Sequence, residues 1–292
     1  MAFQVCFSWL RYASGTREFE ARERNLHEEI NVSLLAVARR RKIERDPVAR
    51  GSGVWLDRVG GETCFLRAQQ KFGSELASVQ YPDGYRRDLK GRLERRAVLR
   101  MIAAFPAGGH ILDCPCGTGR VMQLLLEKNF RVTAADCSGH MVSRCRENML
   151  ERFPALSGRM DFCVEDVMGT TFADRSFDGV ICNRLLHHYD NRETRITVLR
   201  ELARVSRGLV VVSFTNARSV SSIRKRLRAN LAGQPYRASS TPTRAQMVRE
   251  FAEAGLTCVR TIGVLRGLSR MSYMAGMPTE IMRGLLVRAL DE

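Results

Sequence analysis

Apolar and polar positions change period several times along the chain, and each change marks an element. From Arg86, the set Leu89, Leu93, Ala97 and Met101, joined by Ile102 and Phe105, recurs at helical spacing and predicts a helix ended by Pro106 and Gly108-Gly109. Ile111-Leu112 is a short apolar run closing on Asp113, a strand, and Val121, Leu124 and Leu125 open a helix that Lys128 and Asn129 end. Arg131 to Ala135 reads as a second strand with Asp136 at its tip. Ser138 then caps a helix running to about Glu151, with Met141, Val142 and Cys145 on its apolar face. Met160–Val164 is a third strand and Gly179–Cys182 a fourth, ending at Asn183. Ile196, Leu199, Leu202 and Ala203 give an amphipathic helix over residues 193–205. Gly208–Phe214 is a nearly unbroken apolar strand, as a sheet covered on both faces requires. Strands alternating with helices argue an α/β, doubly wound sheet.

Residues 215–242 break this rhythm and contain the cationic run Arg224-Lys225-Arg226-Leu227-Arg228. Thr243 with Gln246 forms a capping-box pattern opening a helix that stops at Gly255, and Leu256 to Val264 reads as a further strand. Residues 267–292 are Met-rich, apolar and basic without a clean period, leaving room for a last strand and a terminal helix around Ile281 to Leu290. Residues 1–80 read as an N-terminal extension, helical in part or flexible, with a Gly/Pro cluster over 47–61.

The chemistry concentrates where the first strand meets its helix, in His110-Ile-Leu-Asp-Cys-Pro-Cys-Gly-Thr-Gly-Arg120. Glycine suits such a turn because it accepts positive φ and lets a ligand approach the backbone, and the helix start leaves N–H groups free. Met122 stands where a dinucleotide fingerprint wants its third glycine, and no Lys-Ser/Thr follows for a P-loop. An acid just before the turn suits a cationic ligand. The motif Asp113-x-x-x-Gly117-x-Gly119 resembles the first motif of the Rossmann-like (class I) S-adenosylmethionine-dependent methyltransferases, with Pro115 where the usual form has glycine. The resemblance covers roughly residues 85–265.

This resemblance implies a mostly parallel seven-stranded sheet with helices on both faces, the domain spanning 81–292 and residues 215–242 shaping an acceptor pocket. It also implies S-adenosyl-L-methionine as cofactor. Asp113, Cys114, Cys116, Gly117 and Gly119 would line its turn, Asp136 would meet the ribose hydroxyls, and Asp166 and Val167 would meet the adenine. Asn183 ends the fourth strand, where the acceptor meets the methyl group. His187 and His188 follow in Arg184–Asp190, and histidine serves as a base near neutral pH. They are the candidates for a catalytic role; capping the next helix or packing beneath the cofactor is the alternative.

Charge adds a question about partners. The net charge is +16, distributed as +7 over residues 1–110, +1 over 111–216 and +8 over 217–292. The core is nearly neutral and its flanks are basic, which suits an anionic acceptor or an acidic membrane surface, or solvated arginine-rich faces. Nine scattered cysteines with no C-x-x-C pair argue against a metal site and for a reducing compartment. No run of about 18 apolar residues and no secretory signal is present, which points to a cytoplasmic, or membrane-peripheral, protein.

Three functions remain. The first is methyl transfer to a small-molecule or lipid-like acceptor. The second is an RNA methyltransferase, which the basic flanks favour. Asn183-Arg184-Leu185-Leu186 departs from the Asn/Asp-Pro-Pro-aromatic of base-amino methylation, and few aromatics accompany the cations, so nucleic acid is the lesser expectation. The third is a non-catalytic binding module that kept the fold.

Overall fold

A computed structural model describes residues 88–189, 191–233, 241–264 and 268–290. The chain divides into two units, Met1–Arg58 and Val59–Glu292, and every described residue belongs to the second. The expected extension over residues 1–80 lies outside the described residues.

The elements run α1 (Leu89–Ile102), β1 (His110–Asp113), α2 (Arg120–Glu127), β2 (Arg131–Asp136), α3 (Gly139–Arg152), β3 (Met160–Val164), β4 (Phe177–Cys182), α4 (Arg192–Val205), β5 (Ser206–Thr215), α5 (Val220–Leu231), α6 (Arg244–Glu253), β6 (Leu256–Gly263), β7 (Met271–Pro278) and α7 (Thr279–Leu290). Single 3-10 segments cover Pro154–Arg159 and Leu186–His188. The seven strands form one sheet in the order β3-β2-β1-β4-β5-β7-β6. β1 to β5 pair in parallel, and β7 lies antiparallel between β5 and β6. The seven-stranded, mostly parallel sheet is therefore the one expected.

Chain direction along the sheet reverses between β1 and β4. From β1 the chain crosses through α2 to β2, and from β4 through α4 to β5 on the other side. Right-handed crossovers in opposite directions set α2 and α4 on opposite faces. A crevice forms outside the carboxyl ends of the strands at that switch point, where ligands bind in open α/β sheets.

The local chemistry explains the element ends. Asp88, Ser138, Asn191, Ser219 and Thr243 each accept a backbone N–H at a helix start, and Thr243 with Gln246 completes the capping box. Asn129 and Gly255 take positive φ just past α2 and α6. The core is built from Leu112, Val180, Val210 and Val212 against Leu199, Leu202 and Phe251. Met271 to Gly276 is buried throughout, which is why no alternation was visible in this strand. α5, within the irregular stretch 215–242, is the element that periodicity did not delimit.

One ion pair lies deep in this core. Arg195 of α4 grips Glu250 of α6 through two hydrogen bonds, at 2.6 and 2.9 Å, and donates a third to the Tyr189 carbonyl. Both side chains are almost wholly buried. Removing one partner would strand the other charge in low dielectric. Glu250→Ala is expected to lower unfolding free energy by about 3–5 kcal/mol, measured by urea denaturation; a loss no larger than that of a surface substitution would contradict this.

Candidate active site

The glycine turn is fixed from two sides. Cys116 N–H donates to the Ala135 carbonyl at 2.8 Å, pinning the turn to β2. Gly117 N–H donates to one oxygen of Asp136 at 3.0 Å, while Ser138 N–H donates to the other at 3.0 Å. Asn148 of α3 reaches the Thr118 carbonyl at 3.1 Å. Gly117 and Gly119 have φ of +52° and +94°, a backbone conformation that favours glycine at both positions. At Gly119 a Cβ would also come within 3.0 Å of Met149 Cε and 3.1 Å of Cys145 Sγ, so this glycine admits α3 as well. α2 begins after it with no side-chain cap, leaving its first N–H groups facing the turn. Cys114–Pro115 is a cis peptide bond.

The three acids stand side by side. Asp113 ends β1, Asp136 ends the adjoining β2, and Asp166 follows β3, the next strand. Asp113 is completely buried, and neither carboxylate oxygen makes a hydrogen bond of ordinary geometry. Burial pushes its carboxyl well above the usual range, the Asp136 charge adds to this, and the Met122 N–H offsets part of it. Burial also raises Asp136, against the N–H groups of Ser138 and Gly117, and raises Asp166, whose Oδ1 accepts from Met168 N–H at 2.9 Å. Val167 is buried beside Asp166. A buried acid cluster with unsatisfied oxygens suits a ligand that brings positive charge and hydroxyl donors, and a sulfonium nucleoside brings both.

The two cysteines of the turn present no thiol. Cys114 packs with Leu112, Ala135 and Cys182 in the core. Cys116 is held protonated by its contact with Cys145 and by burial. What these positions offer the site is backbone.

Across the switch point lies a second group of polar side chains. Asn183 ends β4, and its Oδ1 lies 3.5 Å from the Tyr273 hydroxyl of β7. Arg184 has φ of +60°, donates its N–H to Ser213 Oγ at 2.6 Å, and pairs through Nη2 with Glu94 of α1 at 2.6 Å. The Glu94 side chain is only 3% exposed, and its Oε1 has no partner. Burial first, then the Glu94 charge, holds the Tyr273 phenol well above its ordinary value, against Arg184 and Arg120. His187 and His188 sit beyond this group on the 3-10 turn, half-buried, with ring centroids 4.0 Å apart. Sequence reasoning missed Glu94 and Tyr273, since each meets its partner from ninety residues away.

Residues 111–208 match the family model for a methyltransferase domain. The match covers about a third of the chain and marks a methyltransferase domain there. Among relatives, a tRNA (carboxymethyluridine(34)-5-O)-methyltransferase of Xenopus tropicalis is 30% identical over 36% of this chain and 15% of its own. An O-methyltransferase, cnsE, of Penicillium expansum is 31% identical over 43% of this chain and 44% of its own. The match spans less than half the length of either. In fold, the magnesium protoporphyrin IX methyltransferase of Synechocystis PCC 6803, solved with bound S-adenosylhomocysteine, superposes with a TM-score of 0.54 at 17% identity, over 74% of this chain and 94% of its own. Among the described residues of the methyltransferase domain and its surroundings, no three His, Cys, Asp or Glu side chains are placed to hold a metal ion. No described helix is long and apolar enough to cross a membrane.

The buried carboxyl of Asp113 has a thermodynamic signature. The folded state holds its proton more tightly than the unfolded chain does, so ionisation costs stability as pH rises above the ordinary carboxylate value of 3.8. Asp113→Asn is expected to melt higher than the wild type at neutral pH, and to lose that advantage as pH falls toward about 4. Thermal melts across this range check it; an advantage independent of pH would assign the effect to packing instead.

Proposed function

We propose that this protein transfers the methyl group of S-adenosylmethionine to a hydroxyl group of a small-molecule or lipid-like acceptor. The observation that carries the reading is the row of three acids at adjoining strand tips around a glycine turn, Asp113 and Asp136 buried and Asp166 half-buried. In this reading Asp136 takes the ribose hydroxyls with the lone pairs its two N–H contacts leave free. Asp166 and the Val167 backbone hold the adenine. The backbone of Cys114, Cys116, Gly117 and Gly119 lets the methionyl end approach, and the sulfonium's positive charge favours ionisation of Asp113 beneath it. The cofactor supplies a methyl carbon already activated by positive sulfur, whose departure as a neutral sulfide needs no acid.

The protein's task is then alignment, worth roughly 7–11 kcal/mol, with a proton acceptor adding about 10²–10⁴-fold. Asn183 marks the place where acceptor and methyl group meet. Glu94, with an unpaired buried oxygen and an Arg184 clamp on the other, is the group best placed in this reading to take the hydroxyl proton. His187 and His188, one turn further, are the alternative base. The O-methyltransferase relative supports a small hydroxylated acceptor, and the basic flanks suit one that carries negative charge. Cys114, Cys116, Cys145 and Cys182 are buried thiols, in keeping with a reducing, cytoplasmic setting. A second reading, methylation of RNA, draws on the tRNA-modifying relative; tight RNA binding with steep salt dependence would favour it.

Calorimetry with S-adenosylhomocysteine tests the cofactor half. Asp136→Ala and Gly117→Val are each expected to weaken binding about tenfold or more, and His187→Ala to leave it near wild type. Unchanged affinity in the first two would overturn the assignment. For the acceptor half, Glu94→Gln is expected to lower kcat by about 10²–10⁴-fold with cofactor affinity unchanged. A loss confined to His187→Ala would move the proton to the histidine instead.

A further inference from the structure

The helix α5 is amphipathic the wrong way round for a surface helix. It is fastened at its start: Ser219 caps it, Ser222 Oγ donates to the Asn216 carbonyl at 2.8 Å, and Ser221 N–H donates to the Leu268 carbonyl at 3.2 Å. Ser222 is the one buried residue in its length. At about 100° per residue, Ser222 and Ala229 share the side turned to the protein, and Val220, Ile223, Leu227 and Leu231 fall within an arc of about 80° on the opposite side. Those four are 46%, 38%, 54% and 89% exposed. Leu268, beside the helix start, is 56% exposed. Five of the nine large exposed apolar residues among the described ones thus gather at one place. An ordinary surface helix turns such a stripe to the core.

Cations frame the stripe. On the same wheel Arg224 and Arg228 follow one edge, Arg226 lies just beyond Asn230 on the other, and the helix contains no acid. We infer that α5 lies in the interface of an anionic lipid bilayer, its apolar stripe among the acyl chains and its arginines at the headgroup phosphates. A stripe of apolar side chains between two cationic borders is what a membrane-surface helix presents. A nucleic acid would reward the cations but not the stripe, and the helix has no aromatic side chain for a base to stack on. α5 follows the carboxyl end of β5, so the docked face adjoins the ligand end of the sheet. The inference does not depend on the methyl-transfer reading.

Co-sedimentation of the full chain with vesicles of phosphatidylglycerol in phosphatidylcholine, and of phosphatidylcholine alone, tests it. Partitioning is expected to be at least about tenfold stronger on the anionic vesicles and to weaken with salt. Leu227→Asp/Leu231→Asp is expected to reduce it about tenfold, and Arg224→Glu/Arg226→Glu to do likewise. All four side chains are exposed, so circular dichroism and S-adenosylhomocysteine affinity should stay as in the wild type. Absent binding, equal binding to both vesicles, or undiminished binding by the leucine variant would overturn the inference. Retention of single-stranded RNA that the arginine variant loses and the leucine variant keeps would reassign the helix to nucleic acid. A failure of cofactor binding in the wild type would instead count against the methyl-transfer reading alone.

Discussion

The carboxylate of Asp136 is the fastening on which the site depends. One oxygen holds the Gly117 N–H and the other the Ser138 N–H. A single side chain therefore sets the turn after β1, the tip of β2 and the start of α3. The charge-assisted bonds are made inside the protein, where they are strong and where leaving either N–H unmade would be costly. Within this fixed geometry the turn keeps positive φ at Gly117 and Gly119, on either side of Thr118.

Stability and function pull against each other around that fastening. Asp113, Asp136 and Asp166 are all held above the ordinary carboxylate range by burial. Three acids at adjoining strand ends repel one another, and Asp113 has no compensating bond of ordinary geometry. A fold selected for stability alone would place an apolar side chain there. An acid at this point, in a sheet otherwise packed with Val, Ile and Leu, is what the proposed sulfonium ligand would account for, since it would bring the positive charge that favours ionisation.

Much of this was legible in the chain because it is local. The strand–turn–helix around Asp113, the Asp136 tip and the Ser138 cap all follow from spacing within a few residues, and β3 and α6 begin where their patterns begin. What depends on distant partners was not legible. Nothing near Glu94 reveals that Arg184 will meet it, and its helical spacing reads as packing alone. Tyr273 sits in a run buried from end to end, where period carries no information about which side chain turns toward a site. The stripe of α5 was hidden differently: residues 215–242 break the alternation of strands and helices, and only the fold shows these apolar side chains on one outward face.

The antiparallel insertion of β7 divides the protein in time as well as in space. Everything proposed to grip the nucleoside lies between Asp113 and Val167, a contiguous run that pairs as parallel neighbours. The acceptor side draws on Glu94, Arg184 and Tyr273, and the last of these arrives only with the strand before the terminal helix. During synthesis from the N-terminus, Glu94 and the nucleoside cradle are made while Tyr273, on the opposite wall, still lies in untranslated message.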